Sequence, residues 1–198
     1  WALAQRGKRI LLLEQFTVGH VRGSSHGGSR IVRYAHPEPE YAALMPHIFS
    51  LWRDLEAQSG ASLMEICGGL YMGAADDPWL AATQQTMAAL AMGSERLSAA
   101  DLRTRYPQFR LDEEQGALYQ AQSGILNASL AVATMVRMAV ARGATLLEEA
   151  QVTHIAHAED GFRVEYARHG QTRHASAEKV VVTAGPWAKA MLDPLLDR

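Results

Sequence analysis

Two guanidinium groups three residues apart, preceded by an imidazole and a run of small residues, are the part of this sequence best suited to chemistry. The segment Gly23-Ser24-Ser25-His26-Gly27-Gly28-Ser29-Arg30-Ile31-Val32-Arg33-Tyr34 carries them within twelve positions. Small residues let a backbone approach a ligand closely, and arginine grips a carboxylate or phosphate with two parallel hydrogen bonds. The stretch from Arg30 to Tyr34 reads as extended, with a helical turn as the alternative. In a helix positions i and i+3 share a face, whereas in a strand they oppose each other. In either case the pair can straddle a flat ligand or converge on one anion; two solvated surface arginines is the plain alternative.

Glu14 is the second candidate. It closes Lys8-Arg9-Ile10-Leu11-Leu12-Leu13, whose unbroken apolar run predicts a strand buried on both faces, as in a parallel sheet. The preceding Trp1 to Gly7 reads as the tail of a helix, with Gly7 suited to end it. In dinucleotide-binding βαβ units an acidic residue at the end of such a strand accepts hydrogen bonds from the adenosine ribose. A solvated strand end is the other reading. The glycine fingerprint that opens the helix in such units would fall before Trp1, and the chain begins without methionine in mid-helix, so the sequence reads as a fragment.

The remaining elements frame these residues. Gln15 to Gly28 is a loop longer than the usual ~4–6 residues, and His20, Arg22, Gly23, Ser24 and Ser25 supply donors along it. Tyr41 to Gln58 reads as an amphipathic helix with Tyr41, Leu44, Ile48, Leu51, Trp52 and Leu55 facing the core and Pro46 kinking it or marking a later start. Ile66 to Gly73 reads as one strand, and Cys67 within it as structural. Asp77-Pro78 opens a helix to about Met92, and Ser98 and Asp101 form a capping box for a short helix ending near Tyr106-Pro107. Gly116 to Ala121 is a strand, Ser123-Gly124 a turn, and Asn127 caps a helix that Gly143 stops after Arg142. Thr145 to Leu147, Gln151 to Ile155, Phe162 to Tyr166 and Thr172 to His174 read as strands, the last three forming an antiparallel meander. Lys179 to Gly185 reads as another buried strand, ending in small residues before a helix opened by Pro186-Trp187. Open α/β sheets admit ligands at such a carboxyl edge.

Composition bounds the function. The 198 residues are 48% hydrophobic and 20% charged, with a formal charge of −2, which is ordinary for a soluble globular chain and gives no reason to expect nucleic acid. One cysteine excludes an internal disulfide framework and suits a reducing cytosol, so a cytoplasmic location is expected. No apolar run reaches the ~20 residues of a spanning helix, no leader is evident, and no membrane association is expected. The eight histidines, His20, His26, His36, His47, His154, His157, His169 and His174, are scattered without ligand spacing, and no metal is expected. A nucleophile elbow, a P-loop and a basic-aromatic stripe are all missing from the sequence.

The order helix, acid-ended strand, Ser25-His26-Gly27-Gly28-Ser29-Arg30-Ile31-Val32-Arg33, long helix, strand meander and Ala184-Gly185-Pro186-Trp187 resembles the monomeric sarcosine oxidase and N-methyltryptophan oxidase family of FAD-dependent amine oxidases. Gly60 to Gly73, Arg105-Tyr106-Pro107 and Ser123-Gly124 also fall in family order, so the likeness covers essentially the whole chain. It implies a mixed α/β fold: a partial glutathione-reductase-like FAD-binding domain from residues 1–35 and 127–198, and a substrate or cap region of sheet and helices over 36–126. It implies FAD as cofactor, with Glu14 on the adenosine ribose, the Val152 backbone at the adenine, Ser24, Ser25, His26 and Arg30 along the flavin, and Ala184-Gly185 passing near it. Arg33 would pair with the substrate carboxylate, so that His26, Arg30 and Arg33 are the catalytic candidates. The implied partners are a small amine and oxygen, the implied products an imine and hydrogen peroxide, and the full-length protein is expected to be a monomer. Family members often carry Asp-Thr where this chain has Gly28-Ser29, a change that loosens the loop and removes a charge. Covalent flavin attachment in the family uses a cysteine with which Cys67 does not align, so here it would come from outside the chain. On this reading the 198 residues alone neither hold FAD nor turn over. The rival readings are a D-amino-acid or glycine oxidase, an FAD-linked dehydrogenase, a non-catalytic remnant of the fold, and an NAD-linked Rossmann enzyme. The last is disfavoured by the strand meander before Val180.

Overall fold

Four small sheets organise the described residues, 1–196, of the computed structural model; residues 197 and 198, included in the expected FAD-binding range, lie outside them. In chain order the elements are α1 (Ala2–Gln5), β1 (Leu11–Leu13), β2 (Arg30–Val32), α2 (Pro39–Ser59), β3 (Met64–Ile66), β4 (Gly69–Ala74), α3 (Pro78–Ala89) and β5 (Glu95–Ser98). They continue with α4 (Ala99–Arg105), β6 (Gln115–Gln120), β7 (Gly124–Leu126), α5 (Ala128–Val140), β8 (Thr145–Leu147), β9 (Gln151–Ala158), β10 (Gly161–Arg168), β11 (Gln171–Ala177), a 3-10 turn (Gly185–Trp187) and α6 (Ala188–Leu196). The class is mixed α/β, with one parallel strand pair and three antiparallel sheets.

The chain divides into two compact units, one of Trp1–Gly27 with Ser129–Arg198, the other of Gly28–Ala128. In the first, β1 pairs in parallel with β8, Leu12 opposite Leu146, and β9, β10 and β11 form the expected meander in the order β11-β10-β9. Gly143 follows α5 at φ 89°, a conformation costly for residues with a Cβ and available to glycine. In the second unit β7 lies between β2 and β3, and β6 between β4 and β5. Leu97 and Ala117 pack with Leu102 of α4 in a core cluster there, and Leu118, on the opposite face of β6, is also wholly buried. The Asp77 carboxylate caps α3 by accepting from the Trp79 and Leu80 N–H groups (2.8 and 3.1 Å), with Pro78 in the first turn. Ser98 and Asp101 form the expected capping box on α4.

Several expectations need correction. Leu11 and Leu12 are 42% and 41% exposed, because β1 has β8 as its one partner strand among the described residues. Lys179 to Thr183 forms no strand and Val181 is 72% exposed; an extended segment becomes a strand only when a neighbour accepts its backbone hydrogen bonds. The buried face of α2 is Ala42, Met45, Phe49 and Leu55: Leu55 is buried as expected, and the other three lie one position on from the expected stripe. Tyr41, Leu44 and Leu51 are exposed and Trp52 is half-buried. The helix begins at Pro39 and runs through Pro46, and its packing against α3 selects the buried stripe. The strand expected over Ile66 to Gly73 is two strands, broken where Gly68 adopts φ 80°, and Cys67 is exposed rather than structural. Gly124 belongs to β7, not to a turn, and β5 and β7 carried too little alternation over so few residues to be read.

Candidate functional site

In the first unit, Glu14 follows β1, and its backbone joins both neighbouring segments. Its N–H donates to the Leu147 carbonyl (3.0 Å), and its carbonyl accepts from the Ala150 N–H (2.9 Å). The side chain accepts from the Phe16 N–H at Oε1 (2.9 Å), and His20 Nε2 lies 3.6 Å from the same oxygen. Because His20 Nδ1 accepts from the Arg22 N–H (3.1 Å), the neutral ring carries its hydrogen on Nε2, facing the carboxylate. Both contacts use Oε1, and the side chain is 30% exposed. The loop that follows is tied down rather than loose: Val18 N–H donates to Glu148 Oε1 (2.6 Å), and Glu149 N–H donates to the Phe16 carbonyl (2.8 Å).

Next to Glu14 is a cleft of about 300 Å3 lined by Gln15, Val152, Thr153, Ile155, Trp187 and Met191, among others. Strand β9 supplies Val152, α6 supplies Met191, and the 3-10 turn supplies Trp187, whose N–H donates to the Ala184 carbonyl (3.1 Å). Phe16 meets the Trp187 ring edge-on at 5.8 Å and the His20 ring at 4.9 Å, with the Arg22 guanidinium 4.5 Å over its face. A carboxylate at a strand end beside a half-apolar cleft is a donor set that fits a sugar hydroxyl and a flat heterocycle, the adenosine end of FAD.

The second unit holds the arginines. Arg30 lies in β2 and is exposed, its guanidinium donating to the Ser29 carbonyl (2.7 Å); the helical-turn alternative does not occur. Arg33 is half-buried just beyond β2, its guanidinium carbon 5.3 Å from the centroids of both Tyr71 and Trp79. The next turn of chain is anchored by Tyr34 against Phe49 (4.5 Å, edge-on) and by Thr86 Oγ1 donating to the Pro37 carbonyl (2.7 Å). His36 shares with Arg33 a groove of about 480 Å3 whose other walls include Ile31, Met45, Ile48 and Trp52. Burial, then the Arg33 charge, hold the His36 imidazole below its ordinary value against the pull of Glu38, so it is neutral at pH 7.

The expected site residues therefore fall on two units. Glu14, Ser24, Ser25, His26, Val152, Ala184 and Gly185 belong to the first, Arg30 and Arg33 to the second. Ser24 and Ser25 are exposed and His26 is half-buried. Beside them Gly27 exchanges two hydrogen bonds with Ser129 in the first turn of α5 (3.0 and 3.1 Å). Gly185 takes φ 53° at the start of the 3-10 turn, where any side chain is strained. Sequence reasoning missed Gln15 and Trp187 as walls of the cleft, Phe16 against Trp187, and Tyr71, Trp79, Gln120 and Ser123 around Arg33. Trp79 had a signal, since the Asp77-Pro78 cap fixes it in the first turn of α3, and Gln15 and Trp187 stand beside Glu14 and Gly185-Pro186; Tyr71, Gln120 and Ser123 come from segments distant from Arg33 and had none.

Known proteins match this chain over almost all of its length. The family model for DAO, FAD dependent oxidoreductase, matches residues 1–198. The chain is 34% identical over 193 residues to peroxisomal sarcosine oxidase of Mus musculus, covering 98% of this chain and 48% of that protein. It is 33% identical over 190 residues to N-methyl-L-tryptophan oxidase of Salmonella dublin, covering 96% and 50%. Among solved structures it resembles NikD, an unusual amino acid oxidase essential for nikkomycin biosynthesis, with a TM-score of 0.85 and 28% identity over 98% of this chain and 50% of that one. The chain thus spans about half the length of the curated relatives it matches. With the match running from its first residue to its last, this chain belongs to the DAO family of FAD-dependent oxidoreductases.

Proposed function

We propose that the protein is an FAD-dependent amine oxidase acting on a secondary, N-methyl amino acid such as sarcosine, with the first unit on the cofactor side and the second on the substrate side. The observation that carries this reading is the Glu14 carboxylate at the end of β1, beside the cleft that holds Val152 and Trp187. Bound FAD supplies acceptance of hydride from the carbon next to the amine and return of the electrons to oxygen, giving an imine that water hydrolyses, and hydrogen peroxide. The chain's own residues bind and orient. Glu14 accepts from the ribose hydroxyls through the oxygen outside the Phe16 and His20 contacts, and the Val152 backbone borders the adenine. Ser24, Ser25, His26 and Arg30 lie toward the flavin, with Ala184 and Gly185 near it, and Arg30 places positive charge where negative charge develops on reduction. Arg33 grips the substrate carboxylate with two parallel hydrogen bonds, fixing which C–H is presented.

The test uses the full-length protein. Its visible absorbance should report bound flavin, and N-methyl amino acids should yield peroxide stoichiometrically with oxygen consumed. Glu14→Gln should weaken FAD retention by roughly tenfold or more, the scale for a lost charge-assisted hydrogen bond. A flavin-free protein, or amine turnover without peroxide, would overturn the oxidase reading.

A further inference from the structure

The surroundings of Arg33 form a built device. Its guanidinium lies 5.3 Å from the centroids of the Tyr71 and Trp79 rings, which are 5.7 Å from each other and tilted by 47°. Both rings come from rigid elements, Tyr71 from the middle of β4 and Trp79 from the capped first turn of α3. The hydroxyl of Tyr71 is hydrogen-bonded to Ser123 Oγ (2.7 Å) and lies in the field of the Arg33 charge. Ser123 Oγ donates to Gln120 Oε1 (2.5 Å), and Gln120 Nε2 donates to Gln122 Oε1 (2.7 Å). Since the single Ser123 hydrogen is directed to Gln120, the Tyr71 hydroxyl donates to Ser123. Ser123 is 1% and Gln120 0% exposed, so the relay is dry and its geometry fixed. Gly69 makes room for it: a Cβ there would lie 2.7 Å from Ser123 Cβ and 3.0 Å from the Tyr71 oxygen. Burial pushes the Tyr71 hydroxyl above its ordinary value, with the Ser123 hydrogen bond and the Arg33 charge opposing, so it stays protonated at working pH.

We propose that Tyr71 and Trp79 are positioning residues, an aromatic clamp locked by Ser123 and Gln120 that aims Arg33 and thereby sets the preference for carboxylated over uncharged amines. An unsupported arginine has several rotatable bonds and must be ordered before its fork can meet a carboxylate; a guanidinium already held against two rings has lost that freedom beforehand. Contact with the rings uses the guanidinium's charge and leaves its N–H donors for a carboxylate. The proposal rests on the reading of Arg33 as the carboxylate grip.

The experiment compares an N-methyl amino acid with its carboxamide in the full-length holoenzyme. Tyr71→Phe keeps the ring and removes the hydroxyl. It should raise KM for the acid relative to the amide by roughly three- to tenfold, with kcat moving less, as expected when the ring that holds Arg33 loses its hydrogen bond to Ser123. Trp79→Leu should shift the same ratio and Trp79→Phe should restore most of it. Equal losses for acid and amide, or no change in their ratio, would overturn the clamp. A second readout needs no turnover: the Trp79 emission, isolated as the difference between the wild type and Trp79→Phe, should change when Arg33 is replaced by Ala, and an unchanged emission would also overturn it. If Arg33→Ala leaves the acid-to-amide preference intact while the Trp79 emission shifts, the carboxylate reading fails and the clamp stands only as structure, its specificity role lost.

Discussion

The all-leucine strand β1 is the more exposed, and the mixed strand β6 the more buried. Each carries leucine in its interior, but Leu118 of β6 is 0% exposed and Leu12 of β1 is 41% exposed. Strand β6 is flanked by β4 and β5 and covered by α4, whereas β1 is paired with β8 as its one partner strand among the described residues. Yet the candidate residue read from the sequence sits at the end of β1, and the buried core of the second unit lies at β6. Apolar patterning states a preference for burial; the elements around a strand decide whether it is met, and an acidic strand end keeps its chemistry either way.

This contrast can be broken or sharpened by substitution. Leu118→Ala should cost about 2–5 kcal/mol, the range for truncating a fully buried leucine, measured by denaturant unfolding; a loss below 1 kcal/mol would mean that β6 is not the centre of that core. Glu56→Ala should cost about 1–3 kcal/mol, because one carboxylate oxygen accepts from both the Leu63 and Met64 N–H groups (2.7 and 2.9 Å) and ties the end of α2 to β3. Burial pulls the Glu56 carboxyl upward, but these two hydrogen bonds and Arg53 outweigh it and hold it below its ordinary 4.5. A depressed carboxylate adds stability above its unfolded value, lost as pH falls through the folded one. The gap between wild type and variant should therefore be widest near neutrality and shrink below about pH 4.5; a gap that grows on acidification would refute the assignment. Leu12→Ala should cost less than about 1 kcal/mol, since the side chain is already partly in water. A core-sized loss there would show that β1 is covered in the protein.

Several elements that carry the candidate residues were legible because they depend on local chemistry. The two caps were readable at Asp77 and Ser98, as Asp-Pro and Ser-x-x-Asp answer the orphan N–H groups of a helix start. The meander was readable from its alternation and its turn at Gly161, which takes φ 128°. The inward face of α2 was not, since a helix with apolar residues at Tyr41, Leu44, Met45, Ile48, Phe49 and Trp52 offers two adjacent stripes, and packing against α3 selects one. Nor was the break at Cys67-Gly68, where the chain turns because Gly68 N–H bonds the Ser123 carbonyl (2.9 Å) from a distant segment.

The sequence by itself determined the chemistry on offer: an acid at a strand end, an imidazole and two arginines on a small-residue segment, and motifs specific enough to place the chain in its family. Those are matters of residue type and short spacing. Only the tertiary structure decided that Gln15, Val152 and Trp187 enclose one cleft beside Glu14, and that Arg33 rests between Tyr71 and Trp79 over a buried Ser123–Gln120 relay. Contacts between segments far apart in the chain leave no period or motif in either one, because they are fixed by how the sheets and helices pack.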